Sequence, residues 1–156
     1  MNDIFRIRHS VRSYQDQEIG PEKLQEILDA ADSAPSAGNL KAREVVVVRD
    51  PKVKRELAEA AMNQGFITEA PVALVFFTVP SRSAQKYGQR GQELYALQDA
   101  TIAASFAWMQ AVMLHISSCW VGAFDEEAVK EILNIKGEER PIVLMPFGYS
   151  AESLMA

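Results

Sequence analysis

Apolar side chains recur with a helical period in several stretches of the chain. Between Pro21 and Pro35, four of them fall on one face: Leu24, Ile27, Leu28 and Ala31. A second amphipathic pattern opens at Pro51 and fades by residues 63–65. A third begins at residues 125–127, where acidic side chains would lie at the positive end of a helix. The alanine-rich stretch 93–115 predicts a long central helix packed on several sides, with Trp108, Met109 and Met113 in the core.

Three continuous apolar runs predict strands, at residues 45–48, 72–79 and 141–147. The first two are expected to be covered on both faces, because buried strands lose the alternation of apolar and polar residues. The polar stretch 81–92 predicts a mobile surface loop or lid, anchored at its ends by Tyr87 and Tyr95. Helices alternating with strands favour an α/β or mixed α+β sandwich.

Length and composition narrow the class of protein. The 156 residues are 48% hydrophobic, which predicts a single domain over residues 1–156. With 16 basic and 21 acidic residues the net charge is −5, which makes nucleic acid an unfavourable partner. The apolar stretch 102–114 is too short to span a bilayer, and residues 1–6 do not resemble a secretory signal. We therefore expect a cytoplasmic protein that does not bind membranes.

Cysteine and histidine usage limits the chemistry. Cys119 is the only cysteine, so it cannot form an intrachain disulfide, and we expect it to be a small buried side chain. The chain has only two histidines, His9 and His115, far apart in the sequence, so we predict no metal site. We expect His115 to be a core or helix-end residue and assign it no function.

Residues 8–12 concentrate groups that bind phosphate. They contain two guanidinium groups, an imidazole and a hydroxyl within five residues, which can supply forked donors to a dianion. The alternative is a solvated helix end. A glycine-containing loop, residues 34–39, follows the first long helix. Asp99 would either cap the buried central helix or pair with a base at the interface.

Six motifs occur in a family's order, at residues 8–14, 34–39, 70–72, 98–100, 118–124 and 146–149. Over residues 4–149 the chain resembles the FMN-dependent nitroreductase family. The resemblance implies an α+β, nitroreductase-like sandwich with a central mixed or antiparallel sheet flanked by helices. It also implies an interlocked homodimer with two FMN molecules at the subunit interface.

The resemblance carries cofactor-binding roles to ten residues. The phosphate and ring would be held by Arg8, His9, Ser10 and Arg12. The partner subunit's copy of the second loop would contribute Pro35, Ser36 and Asn39. Backbone amides facing the flavin N5 edge would come from Val121, Gly122 and Ala123.

The implied reaction needs no catalytic side chain, because the chemistry takes place at flavin N5. NADH or NADPH would reduce FMN in a ping-pong cycle, and the electrons would pass to nitroaromatics, quinones or similar electron-poor acceptors. Negative charge on the reduced ring would be stabilised by fixed donors and nearby cations.

Two departures from the family pattern leave a second hypothesis open. Longer members place a basic pair beyond the last strand, whereas residues 150–156 contain no base, so Arg8 and Arg12 would carry more of the phosphate. Residues 40–43 also replace the family's usual glutamine, proline and tryptophan, and Lys41 is a candidate to add charge near the flavin pyrimidine. The alternative is a flavin-binding or degenerate relative that acts as a non-catalytic regulatory dimer.

Overall fold

The computed structural model of the protein describes residues 3–153. The helices in this range are α1 (Ile4–Ile7), α2 (Pro21–Ser33), α3 (Pro51–Ala60), α4 (Phe66–Glu69), α5 (Pro80–Arg90), α6 (Ala96–Met113) and α7 (Glu126–Leu133). The strands are β1 (Arg43–Val48), β2 (Val72–Thr78), β3 (Ser117–Ser118) and β4 (Arg140–Gly148). A short 3₁₀ turn covers Ala37–Asn39, and a π turn, Gly91–Tyr95, leads into α6.

The four strands form one antiparallel sheet in the order β1-β2-β4-β3. Every residue of β2 is buried, which confirms the prediction for that run. The prediction that residues 45–48 are covered on both faces is wrong. β1 lies at the edge of the sheet, with β2 as its only neighbour, and Val47 is 38% exposed. An edge strand has neighbours on one side only, so its β-branched run does not require full burial.

Side chains of β2 alternate between two apolar layers. Leu74 and Phe76 lie in the cluster that includes buried residues of α2 and α6. Ala73 and Val75 lie in the cluster formed with α3 and α7. The sheet is therefore covered by helices on both faces, and the α+β class is confirmed.

The amphipathic helices are confirmed close to their expected bounds. In α2, which begins with Pro21, the predicted stripe buries Leu24, Ile27 and Ala31. In α7 the carboxylate of Asp125 caps the first turn by accepting the backbone N–H of Ala128 at 3.0 Å. These local signals fix where each helix begins because the first N–H groups of a helix need partners outside it.

The stretch 81–92 is not a loop, so that prediction is wrong. Most of it forms α5, which is kinked at Gly88, where φ is +58°. A Cβ on Gly91 would lie 2.6 Å from the main-chain oxygen of Ser83, so the π turn packs directly onto α5. Gly91 allows this close approach, which the polar sequence pattern does not reveal.

The helix α6 packs against the sheet and against α2, α1 and α5, which confirms the prediction of packing on several sides. A row of alanines faces the core, including Ala100, Ala104 and Ala107, which are fully buried. The prediction that Met113 lies in the core is wrong, because Met113 is 55% exposed and Phe106 is 41% exposed. Within residues 3–153 no helix is both long enough and apolar enough to cross a membrane.

Candidate functional site

The segment 8–12 lies beside β3. Ser10 and Ser118 form a parallel bridge, and the backbone N–H of Val11 donates to the carbonyl of Ser118 at 3.0 Å. Because β3 leads directly into residues 119–123, this pairing brings two of the three predicted cofactor-binding segments side by side.

Arg8 borders a cavity of about 180 Å³ at the end of α6. Its guanidinium carbon lies 4.6 Å from the ring centre of Trp108, which is within the range of a cation–π contact. His9 and His115 line the same cavity, and among residues 3–153 no acidic side chain does. The Nδ1 of His9 lies 3.0 Å from the carbonyl oxygen of Ile7, so Nδ1 is the natural donor there and Nε2 faces away from that bond.

Arg12 and Ser10 lie further along the same segment. The backbone N–H of Arg12 donates to a carboxylate oxygen of Glu152 at 2.6 Å, while its side chain is exposed. The hydroxyl of Ser10 hydrogen-bonds with the thiol of Cys119, whose pKa is raised by burial. The buried Cys119 thiol thus stays protonated, which confirms the expectation of a small buried side chain.

Of the three backbone amides predicted to face the flavin, one is already bonded. Val121 exchanges both of its backbone hydrogen bonds with Leu144 at 3.0 Å. Gly122 and Ala123 are exposed, and their N–H groups donate to no other group in residues 3–153. Of the three predicted amides, therefore, those of Gly122 and Ala123 are available to bind a ligand and that of Val121 is not.

Asp99 holds the loop that contains Pro35, Ser36 and Asn39. Its side chain is buried in α6, and its two carboxylate oxygens accept the backbone N–H groups of Ala37 at 3.2 Å and Ala42 at 3.0 Å. Asp99 does not cap α6, because it lies inside the first turn, after the N-cap residue Tyr95. Pairing with a base across a subunit interface stays a prediction. Asp99 anchors a loop distant in sequence, which only the tertiary structure shows.

The side chain of Lys41 points back to α2. Its Nζ lies 2.8 Å from a carboxylate oxygen of Asp32, and this hydrogen bond lowers the pKa of Asp32. The backbone N–H of Lys41 donates to the hydroxyl of Ser36 at 3.0 Å. Within the protomer, Lys41 therefore links the 35–39 loop to α2.

The two predicted halves of the site lie at different ends of α6. Arg8 contacts Trp108, whereas the 35–39 loop is held by Asp99, nine residues earlier. Nine residues of α-helix correspond to about 13 Å. The protomer thus joins residues 8–12 with 117–123 and leaves 35–39 apart from them.

Among known protein families, the sequence model of the nitroreductase family matches residues 6–66 and 59–149 of the chain. The chain belongs to the nitroreductase family.

Individual family members are similar over different lengths. A Thermus thermophilus protein named NADH dehydrogenase is 32% identical, over 93% of this chain and 84% of its own. An FMN reductase [NAD(P)H] of Bacillus subtilis is 37% identical, over 49% of this chain and 32% of its own. The solved structure of an FMN-dependent nitroreductase of Clostridium difficile superposes with a TM-score of 0.84 at 29% identity, covering all of this chain and 91% of that one. The nitroreductase fold of the chain is thereby confirmed.

Two residues that the sequence does not predict to bind a ligand, Trp108 and His115, line the cavity beside Arg8. Trp108 also packs, partly buried, against the main apolar cluster, as predicted. Neither carries a local sequence signal, since both come from the end of an apolar helix. Among the described residues, no three His, Cys, Asp or Glu side chains are grouped so as to hold a metal ion.

Proposed function

We propose that this nitroreductase-family chain is an FMN-dependent oxidoreductase that takes electrons from NADH or NADPH and reduces nitroaromatics, quinones or similar electron-poor acceptors. The observation that carries the proposal is the pairing of segment 8–12 with β3. In the two paired segments, Arg8 and His9 come before the pairing and the free amides of Gly122 and Ala123 come after it.

The residues present fit FMN. Arg8 and His9 border a cavity that no carboxylate of the described residues lines, which suits a phosphate dianion. Ser10 and Arg12 follow along the same segment and would help to hold the rest of the cofactor. When bound, FMN supplies hydride acceptance from the nicotinamide and electron delivery to the acceptor. The chain's part is to hold the phosphate, to orient the ring and to aim the amides of Gly122 and Ala123 at developing negative charge.

The rest of the proposed site comes from a second copy of the chain. Pro35, Ser36 and Asn39 of one protomer would meet the flavin held by the other, because within one protomer this loop lies apart from Arg8. The apolar side chains that α1 and α6 leave exposed would form part of the interface: Phe5 (75%), Ile7 (54%), Phe106 (41%) and Met113 (55%). Light scattering of the flavin-loaded protein should give twice the 17.3 kDa mass of the chain. A monomer that retains flavin would contradict the shared site.

We place this enzyme in the cytoplasm, where a reducing environment suits the buried free thiol of Cys119. The acceptor would bind after the nicotinamide has left, since both must reach the same exposed edge of the cofactor beside Gly122.

The decisive test is a spectrum of the FMN-loaded protein during anaerobic addition of NADH or NADPH. We expect the flavin band at roughly 450 nm to bleach, and to return when a quinone is added, because the protein relays electrons through its cofactor. A protein that binds FMN without bleaching would support the alternative of a non-catalytic regulatory relative. Bleaching by one nicotinamide alone would identify the donor.

A further inference from the structure

His115 occupies a strained position immediately after α6. Its φ is +59°, in the left-handed region that histidine rarely adopts. The chain reverses direction there, and two backbone hydrogen bonds hold the turn. The N–H of His115 donates to the carbonyl of Val112 at 3.1 Å, and the N–H of Ile116 donates to the carbonyl of Ala111 at 2.8 Å. Glycine makes such a helix end with less strain. The turn by itself therefore gives no reason for an imidazole.

The side chain instead borders the cavity beside Arg8 and His9. The two histidines of the chain are 106 positions apart, yet both line this one cavity. His115 is exposed, so its ring is accessible to a ligand. Parallel pairing of Ser10 with Ser118 explains why the two histidines line one cavity, because it sets residues 8–9 beside residues 116–117.

We propose that His115 is a third donor to the FMN phosphate, completing with Arg8 and His9 a pocket at the end of α6. This inference rests on the proposed FMN site and assigns its phosphate end.

The chemistry of the lining supports a phosphate there. Arg8 is held over the ring of Trp108 and can present its remaining guanidinium edge to an anion. The hydroxyl-bearing Ser117 also lines the cavity, and the part of the chain that the structure describes places no carboxylate there to repel a negative ligand. A volume of about 180 Å³ accommodates a phosphate group with its first ribityl carbons.

The test compares FMN with riboflavin, which lacks the phosphate, by titration against the apoprotein. His115→Gly removes the imidazole and relieves the positive φ, so this variant should fold at least as well as the unchanged chain. We expect it to bind FMN about fivefold more weakly and riboflavin with unchanged affinity, because a single hydrogen bond to the phosphate is lost.

A matched control is Met62→Gly. Met62 also has a φ of +59° and is 72% exposed, but it is not among the residues lining this cavity. It should leave both affinities unchanged. Equal weakening of FMN and riboflavin in His115→Gly, or no change in either, would overturn the role of His115. If the unchanged chain bound neither flavin, the proposed function itself would fail.

Discussion

Replacing Arg8 with alanine should weaken FMN binding by about 2 kcal/mol, or roughly thirty-fold, because a charge-assisted contact with the phosphate is lost. Arg8 is the one guanidinium that borders the proposed phosphate cavity. Its stacking on Trp108 also keeps the side chain in place before the ligand arrives, which reduces the ordering needed on binding. Loss of the side chain therefore removes both a charge and a preformed orientation.

Fluorescence titration with FMN and riboflavin measures this effect. Riboflavin affinity should change little, since it has no phosphate to lose. Arg6→Ala is the matched control, because Arg6 lies on α1, the short helix just before Arg8, has an 83% exposed side chain and pairs with Asp3 at 2.8 Å. That variant should retain wild-type affinity. FMN binding that survives Arg8→Ala undiminished would refute the assignment of the phosphate to this cavity.

Replacing Asp99 with alanine should lower the free energy of unfolding by about 2–4 kcal/mol. The carboxylate is 2% exposed and accepts the N–H groups of Ala37 and Ala42. Alanine would leave both donors without a partner, one of them fully buried, and would release the 35–39 loop from α6. Because that loop completes the partner's proposed flavin site, dimeric protein should also lose FMN affinity.

Urea unfolding of the apoprotein measures the first effect, and FMN titration of the dimer measures the second. The matched control is Asp29→Ala, because Asp29 is an exposed helical aspartate whose carboxylate accepts only the side-chain amide of Gln25. It should change the unfolding free energy by no more than about 0.5 kcal/mol. A similarly small change in Asp99→Ala would show that the loop does not depend on this carboxylate. Loss of stability with unchanged FMN affinity would separate Asp99 from the flavin site.

Local sequence patterns correctly predicted those elements in which the apolar side chains are also the buried ones. The stripe at Leu24, Ile27 and Ala31 specified α2 because helical periodicity and burial agree there. The continuous apolar run of β2 specified a covered strand because every residue of that strand is buried. Sequence patterns failed where neighbouring elements decide the outcome: β1 lies at a sheet edge, and the polar stretch 81–92 mostly forms α5, against which the following π turn packs at Gly91.

The sequence by itself determined the family, the helix starts and the segments expected to bind the cofactor, because motifs and caps are encoded over a few adjacent residues. The tertiary structure alone decided that His115 and Arg8 line one cavity, that Asp99 holds the 35–39 loop, and that the amide of Val121 is already bonded to Leu144. Each of these contacts joins residues far apart in the chain. Their formation depends on strand pairing and helix packing, which no local pattern of side chains specifies.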